Sequence, residues 1–461
     1  MQVRLAGYNL DKQLIDKLDE GSAATPETIS AAYARISRSS KSVTELRSQA
    51  SADVAKARSS NWEIVFEMGH ASVAEHAVFN FDLIGVSRYL SEFIQRSRLA
   101  SFTEKSQRYV TLDGDYVLPA EIGSSPFREE FTKLIEKAFT LYAELFAELK
   151  IKKATERDWD SKRALEGAAK EDARYVLPLC TRTQMGMTIN ARSFELLLRR
   201  LCSVPLQEAQ ELYQKLYAEV KDIAPSLIRF INTDDFTYKK LRSEYDAKIE
   251  AGTYNQVNLL SATAEADTEI LTGLLFEQQG GSYQRLRLKV AALSEAELNA
   301  IWDEFYAGIK PWHKMPRAFE MAEFTFELTM SASCFAQFKR HRMCTILKAP
   351  YNPKESYVIP PSIQKLPQLN TIPEFLKQAE LLAGKLNEIN PLLAPYVLTN
   401  AHRVRVLAKM NLRELYHFTR LRSDEHAQWE IRNLAQSMTV KVKELCPFSA
   451  RWLMGKSEFP Q

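Results

Sequence analysis

The sequence has little glycine and cysteine for its length, and it lacks long apolar runs. Only 15 of 461 residues are glycine, which favours helices over tight hairpins. The five cysteines include no C-x-x-C pair, so neither a zinc motif nor a disulfide framework is indicated, and a reducing cytoplasm is expected. No run approaches the ~20 apolar residues of a membrane span, and the first ten residues lack a signal-peptide core.

Neither sign of charge dominates, with 61 Lys+Arg against 58 Asp+Glu. This balance argues against a nucleic-acid partner. The sequence contains no G-x-G-x-x-G and no G-x-x-x-x-G-K-[ST], so neither Rossmann nor P-loop nucleotide binding is supported. No two histidines stand at ligand spacing with a carboxylate, and no metal site is expected. The composition predicts a soluble, helix-rich globular protein.

The sequence pattern restarts in the second half of the chain. The corresponding segments are Val3–Gly7 with Val257–Ser261, Ala74–Phe81 with Phe319–Phe326, Phe93–Arg98 with Gln337–Arg342, and Asn190–Phe194 with Asn411–Leu415. We therefore predict an internal duplication, with domains at residues 1–245 and 246–461 joined by the polar stretch Thr233–Gly252.

Residue periodicity predicts the local structure around the repeated segments. Alternating apolar and polar residues indicate strands at Met1–Tyr8 and Ala77–Leu83. Helical spacing indicates helices at Ser87–Gln95 and Asn190–Leu201. Ser423 or Asp424 is predicted to cap the helix that follows it.

Residues 96–109 combine three arginines, three serines and a glutamate. Arginine binds phosphate with a planar fork, and serine and glutamate can hydrogen-bond a base. A solvated basic helix end is the alternative interpretation. The order Arg96, Arg98, Ser101, Glu104, Ser106, Arg108, Tyr109 resembles the signature of the flavin-dependent thymidylate synthases. Ser97 replaces the family's histidine, and Thr103 replaces its common asparagine.

The second half retains other parts of the family pattern. Gln337 precedes an intact Arg340-His341-Arg342, but Lys354–Tyr357 stands where the signature should end. Asn411–Arg432 resembles the family's second signature, N-x-R-x-L-x-x-F-x-x-L-R followed by H-A-Q-W-E-I-R.

Each half has lost what the other keeps. In the first half, Leu201 replaces the arginine that corresponds to Arg422, and Pro205 replaces the histidine that corresponds to His426. The first half has the family's A-R-x-x-L-P with Arg174, where the second half has Pro395. Since family active sites are composites of several chains, the resemblance implies one complete site drawn from both halves.

The resemblance also implies the role of each retained residue. The implied catalytic residues are Ser106 and Arg422. The implied dUMP-binding residues are Gln337, Arg340, Glu104, Ser106, Gln107, Arg108, Arg174 and Arg422. The implied FAD-binding residues are His70, Ser72, Glu104, Arg340, His341, Arg342, Asn190, Arg192, Asn411, His417 and His426. By residue type Ser106 is also a nucleophile, but no His/Asp pair at recognisable spacing supports a hydrolase triad.

The fold implied by the resemblance is α+β, with two copies of a mixed sheet flanked by long helices. The implied activity methylates dUMP to dTMP, using FAD, methylenetetrahydrofolate as one-carbon donor and NADPH as electron source. Because the family is tetrameric, a fused pair is expected to form a homodimer. The alternatives are flavin-dependent alkylation of another pyrimidine nucleotide, or a catalytically silent paralogue that binds flavin or nucleotide.

Overall fold

The computed structural model of the protein describes residues 1–15, 25–232 and 255–459. The chain forms two compact units, one of Met1–Lys248 with Pro360–Thr399 and one of Ile249–Ile359 with Asn400–Gln461. The predicted linker Thr233–Gly252 and the predicted boundary at residue 245 lie outside the described residues. Segment 360–399, which follows the second repeat's signature in sequence, therefore belongs to the first unit.

Strands and helices are numbered here along the chain. The strands are β1 (Gln2–Tyr8), β2 (Val78–Ser87), β3 (Ala100–Glu104), β4 (Arg182–Asn190), β5 (Val257–Ala262), β6 (Glu323–Ser331), β7 (Thr345–Lys348) and β8 (Arg403–Asn411). The helices are α1 (Lys12–Ile15), α2 (Glu27–Ala34), α3 (Val43–Ala52), α4 (Val54–Trp62), α5 (Arg88–Ile94), α6 (Ala120–Gly123), α7 (Arg128–Glu156), α8 (Lys162–Ala173), α9 (Ala191–Cys202), α10 (Gln207–Val220), α11 (Ala266–Gln279), α12 (Tyr283–Ala291), α13 (Glu295–Tyr306), α14 (Ala332–Phe338), α15 (Thr371–Ile389), α16 (Leu412–Arg422) and α17 (Trp429–Leu445).

Each unit contains a four-stranded sheet with the same strand order. The orders are β1-β2-β4-β3 in the first unit and β5-β6-β8-β7 in the second. All described pairings within them are antiparallel. The α+β class is confirmed, and the matching orders support a duplicated unit. The prediction of mixed sheets is wrong. The alternating burial of β4 and β8 is typical of antiparallel strands with one face on the core and one on solvent.

The predicted strands and helices form close to their predicted positions. The strand predicted at Met1–Tyr8 is β1, and the helix predicted at Ser87–Gln95 is α5. The predicted cap of the last long helix is wrong. Gln428 caps α17, its side chain accepting from the backbone N–H groups of Glu430 and Ile431 at 3.0 and 3.2 Å. Ser423 instead ends α16, because a turn separates the two helices.

The later segment 360–399 is held to the first unit by polar contacts. The hydroxyl of Ser362 donates to Asp172 at 2.6 Å, and Lys385 on α15 pairs with Glu130 on α7 at 2.8 Å. The apolar face of α15 is buried. Helix α15 therefore contributes to the core of the first unit.

A buried glutamate fixes the start of the helix before each signature. In the first unit, Glu208 accepts from the Ser87 backbone N–H at 2.7 Å, the Ser87 hydroxyl at 2.8 Å and the Tyr396 hydroxyl. Ser87 also caps α5. In the second unit, Glu430 accepts from the backbone N–H and hydroxyl of Ser331, which caps α14. The two glutamates thereby position α5 and α14, whose ends carry the signature residues.

Replacing Glu208 with alanine is expected to lower the free energy of unfolding by about 2–4 kcal/mol, because the buried donors of Ser87 and Tyr396 lose their acceptor. Urea denaturation measures the change. The control is Glu211→Ala on the same helix, because Glu211 is partly exposed and its loss should cost under about 1 kcal/mol. Equal losses for the two variants would contradict the positioning role.

Candidate functional site

In the first unit, the end of the signature lies beside α5 and α8. Glu104, the last residue of β3, accepts from the Arg88 guanidinium and, at 2.8 Å, from the Gln95 side-chain amide. Both donors lie at the ends of α5, so that helix orients the carboxylate. In the loop after β3, the Ser106 hydroxyl oxygen accepts from the Arg108 backbone N–H at 3.2 Å.

The first unit also gathers arginines around one buried carboxyl group. Arg108 Nε lies 2.7 Å from Glu171 Oε2. Burial raises the pKa of Glu171, while Arg108 and Arg174 act to lower it. Burial lowers the pKa of Arg174, Glu171 opposes this shift, and Arg88 and Arg108 add to it. Arg108 and Arg174 therefore both lie close enough to act on the Glu171 carboxyl group, although burial still has the larger effect on its pKa.

The other first-unit residues implied for flavin binding lie around a short 3₁₀ turn. His70 and Ser72 are exposed, at the start of the turn Ala71–His76. Asn190 caps α9, its side chain accepting from the Ser193 backbone N–H at 2.8 Å. Arg192 pairs with Glu75 of the same turn. Asn190 and Arg192 therefore make contacts within the unit, whereas His70 and Ser72 are exposed to solvent.

In the second unit, the two parts of the retained signature are in direct contact. Arg422 Nε donates to His341 Nε2 at 3.0 Å, and Arg422 Nη2 donates to the Gln337 carbonyl at 3.3 Å. Since the arginine Nε is always a donor, His341 Nε2 is the acceptor and the proton of the neutral ring lies on Nδ1. Glu414 Oε1 lies 3.5 Å from that Nδ1.

Because the His341 ring is neutral, its contact with Arg422 does not compensate the positive charge of the guanidinium. Burial holds the pKa of His341 well below its usual value, and Arg422, His417 and Arg340 lower it further. Burial, and then Arg340, lower the pKa of Arg422 to about 10. A half-buried cation beside a second arginine gains from an anionic ligand. The contacts with His341 and the Gln337 carbonyl fix the orientation of the Arg422 guanidinium.

Acidification is expected to destabilise the protein through His341. The unfolded imidazole takes up a proton near pH 6.5, while the buried ring, whose pKa is lowered, does not. The free energy of unfolding should therefore fall as the pH drops below about 6.5, by at most about 1.4 kcal/mol per pH unit. Urea denaturation from about pH 8 to 5 should show a shallower dependence for His341→Gln. The exposed His426 supplies the control, His426→Gln, which should keep the wild-type dependence.

A cavity of about 710 Å³ lies in the second unit, along α16. Its lining residues are Pro311, Trp312, Lys314, Met315, Glu320, Met343, Asn411, Arg413, Glu414, Tyr416, His417, Arg420, Leu421 and Lys456. Of the predicted flavin residues, Asn411 and His417 line it, whereas the exposed His426 does not. Asn411 also caps α16 through the Glu414 backbone N–H at 2.9 Å.

Several residues that line the cavity are not among the site residues predicted from the sequence. Arg413 donates to the Met315 carbonyl at 2.8 Å and pairs with Glu320 at 2.9 Å. Glu414 is buried, which raises the pKa of its carboxyl group. Arg413 is the arginine of the N-x-R motif, so the motif could have predicted it as a site residue. Glu414 stands at a variable position of the motif, so the sequence does not single it out.

Two classes of site are absent from the part of the chain that the structure describes. Within residues 1–15, 25–232 and 255–459, no group of three or more His, Cys, Asp or Glu side chains is placed to hold a metal ion. In the same ranges, no helix is long and apolar enough to cross a membrane.

Each unit thus combines an antiparallel four-stranded sheet with arginines at or near the ends of its signature segments. The chain belongs to the Thy1 family, described as thymidylate synthase complementing protein, whose model matches residues 15–226 and 282–448. The family resemblance of the sequence is thereby confirmed.

Individual relatives fall into two groups. Over 433 residues the chain is 27% identical to UPF0159 protein Ta1429 of Thermoplasma acidophilum, covering 83% of this chain and 86% of that protein. Over 170 residues it is 35% identical to a flavin-dependent thymidylate synthase of Clostridium tetani, covering 36% of this chain and 68% of that protein. A flavin-dependent thymidylate synthase of Geobacter sulfurreducens is 33% identical over 207 residues, or 44% of this chain and 81% of that protein.

Proposed function

We propose that the protein is an FAD-dependent thymidylate synthase, which methylates dUMP to dTMP with methylenetetrahydrofolate as one-carbon donor and NADPH as electron source. The observation that carries this proposal is the complementary retention of motif residues. His341 and Arg422 contact each other in the second unit, and the first half has lost both, to Ser97 and Leu201. Arg108 and Arg174 share Glu171 in the first unit, and the second half lacks both.

In each half of the chain, the missing motif residues correspond to residues that interact with one another in the other half, and this pattern supports selection on function. A decaying copy loses residues singly and leaves unpaired charges, which are costly when buried. Here the groups that contact one another are retained together or replaced together. The activity therefore needs both retained sets, Arg108 with Arg174 from the first repeat and Arg340 with Arg422 from the second.

The proposed dUMP roles are those that the family resemblance implies for each side chain. Arg108 and Arg174 supply cations for the phosphate. Glu104, oriented by Arg88 and Gln95, accepts a hydrogen bond from the pyrimidine ring. Ser106, with the adjacent Gln107, orients that ring. In the second repeat, the resemblance assigns Gln337, Arg340 and Arg422 to dUMP as well.

The residues present fit a flavin nucleotide. The second-unit cavity of about 710 Å³ lies within the usual size of cofactor sites, and elsewhere in the same unit the half-buried cation Arg422 is influenced by the charge of Arg340. Flavin, when bound, supplies the hydride chemistry. The chain's candidates for holding it are His70, Ser72, Glu104, Asn190, Arg192, Arg340, His341, Arg342, Asn411, His417 and His426.

The decisive experiment counts FAD per purified chain and follows oxidation of the reduced flavin with dUMP and methylenetetrahydrofolate. The proposal expects bound FAD and dUMP-dependent oxidation that forms dTMP. Flavin oxidation that needs another pyrimidine nucleotide would show that this nucleotide, and not dUMP, is the substrate. Binding of flavin and nucleotide without turnover would make the protein a silent paralogue.

We also propose that the chain assembles as a homodimer. Such a dimer would contain four repeats, as many as the subunits of the tetramer implied by the family resemblance. Light scattering on the purified protein tests this, with twice the chain's 52.7 kDa as the expected mass. A monomeric mass would contradict it.

A further inference from the structure

Pro311–Met315, here called the strap, forms one wall of the second-unit cavity. Four of its five residues line the cavity, all except His313. Gly308, just before the strap, has φ +70°, a conformation that suits glycine and lets the chain turn sharply. No family motif identified in the sequence includes the strap.

Two arginines of α16 hold the strap by its backbone. Arg413 Nε donates to the Met315 carbonyl at 2.8 Å, and Arg420 Nη1 donates to the His313 carbonyl. The two arginines are about two helical turns apart and therefore lie on the same face of α16. The strap is thus fixed at two points, with its side chains left to line the cavity.

Arg420 adds positive charge to this wall. It is buried, and among the described residues its Nε and Nη2 make no hydrogen bond. The rings of Phe459 and Tyr416 lie 5.3 and 5.8 Å from its guanidinium carbon. The exposed Lys314 and Lys456 also line the cavity. Anions are therefore favoured there.

The cavity is also rimmed by exposed apolar side chains. Trp312, Met343 and Leu421 are 73%, 75% and 46% exposed, and all three line the cavity. Grouped exposed apolar side chains at a concave site mark a ligand surface. An exposed indole offers a flat face on which a heteroaromatic ring can stack.

We propose that Trp312 is a ligand-binding residue of the cavity that the proposed function offers to flavin, with its indole stacked on the planar ring of the ligand and with Lys314 and Lys456 holding the anionic tail. The strap positions Trp312, which makes this tryptophan a binding residue outside every family motif. The proposal rests on the proposed function for its ligands, since flavin, pyrimidine nucleotide and folate all have a planar heteroaromatic ring and an anionic tail; its new content is the role of Trp312 and of the two lysines.

Isothermal titration calorimetry of the purified protein with FAD, dUMP or folic acid tests the proposal. At least one probe should bind, and Trp312→Ala should weaken its binding about 5- to 100-fold, as loss of one stacked ring does. Trp312→Phe keeps an aromatic face and should stay within about threefold of wild type. The double variant Lys314→Ala/Lys456→Ala should weaken the same probe, and weaker binding in higher salt should accompany it.

The control for the titration is Trp62→Phe, which changes a partly exposed tryptophan of the first unit and should leave binding unchanged. The proposal fails if Trp312→Ala binds all three probes like wild type, or if no probe binds. The identity of the affected probe distinguishes a flavin site from a nucleotide or folate site. Because the titration needs no turnover, a failure to make dTMP would overturn the proposed function and leave this result standing.

Discussion

Replacing Arg422 with alanine is expected to lower dUMP-dependent flavin oxidation by about 10²–10³-fold or more, as loss of one preorganised donor does. Arg422 is partly buried and donates to two neutral acceptors, His341 Nε2 and the Gln337 carbonyl. Its charge is thus held in place for an anion. Stopped-flow measurement of flavin oxidation against dUMP concentration gives kcat and KM. Arg422→Lys should recover little, because lysine keeps the charge and loses the planar fork.

The duplicated sequence supplies a matched control for this experiment. Arg96 and Arg340 are corresponding residues of the two repeats, and both are exposed. Arg340 also acts electrostatically on Arg422. The first repeat has Leu201 at the position that corresponds to Arg422, so Arg96 has no such neighbour. Arg340→Ala should therefore damage activity and Arg96→Ala should do much less. Equal damage would show that the division of roles between the repeats is wrong.

The second large effect is expected from Arg108→Ala, which should lower activity by a similar factor and raise the KM for dUMP, because Arg108 is assigned to the phosphate. The same change leaves Glu171 buried beside fewer cations, so some loss of stability is expected as well. The double variant Arg108→Ala/Glu171→Gln separates the two effects. It should regain stability in urea denaturation and remain inactive.

Activity that returns in the Arg108→Ala/Glu171→Gln double variant would count against a role for Arg108 in binding dUMP. That outcome would make Arg108 a structural partner of the Glu171 carboxyl group, with which it forms a 2.7 Å ion pair. Single-turnover oxidation at saturating dUMP would complete the comparison, since a pure binding defect is overcome by concentration.

Local patterns in the sequence are enough for many of the elements and for the family. The alternation in Met1–Tyr8 predicts β1, and the order of arginines and serines in residues 96–109 carries the family resemblance, which the family match confirms. Strand direction was not accessible in this way, because it depends on which distant segments pair. The cap at Gln428 was missed because Ser423 and Asp424 are stronger cap residues by type, yet they lie in the turn before α17.

The missed site residues depend on burial and on contacts far along the chain. Glu208 acts through Ser87 and Tyr396, both distant in sequence. Trp312 and Arg420 meet at a cavity whose wall is a strap outside the motifs. Neither has a periodic or motif signal. Such residues can be recognised only when the tertiary structure shows which side chains contact each other or line the same cavity.

The placement of segment 360–399 in the first unit means that the ancestral copies can no longer be cut apart at the middle of the chain. A fragment ending near residue 245 would lack α15 and the hydroxyl that Tyr396 gives to Glu208. It would also lose the ion pair between Lys385 on α15 and Glu130 on α7. The second repeat therefore cannot be deleted without also removing a helix from the core of the first unit.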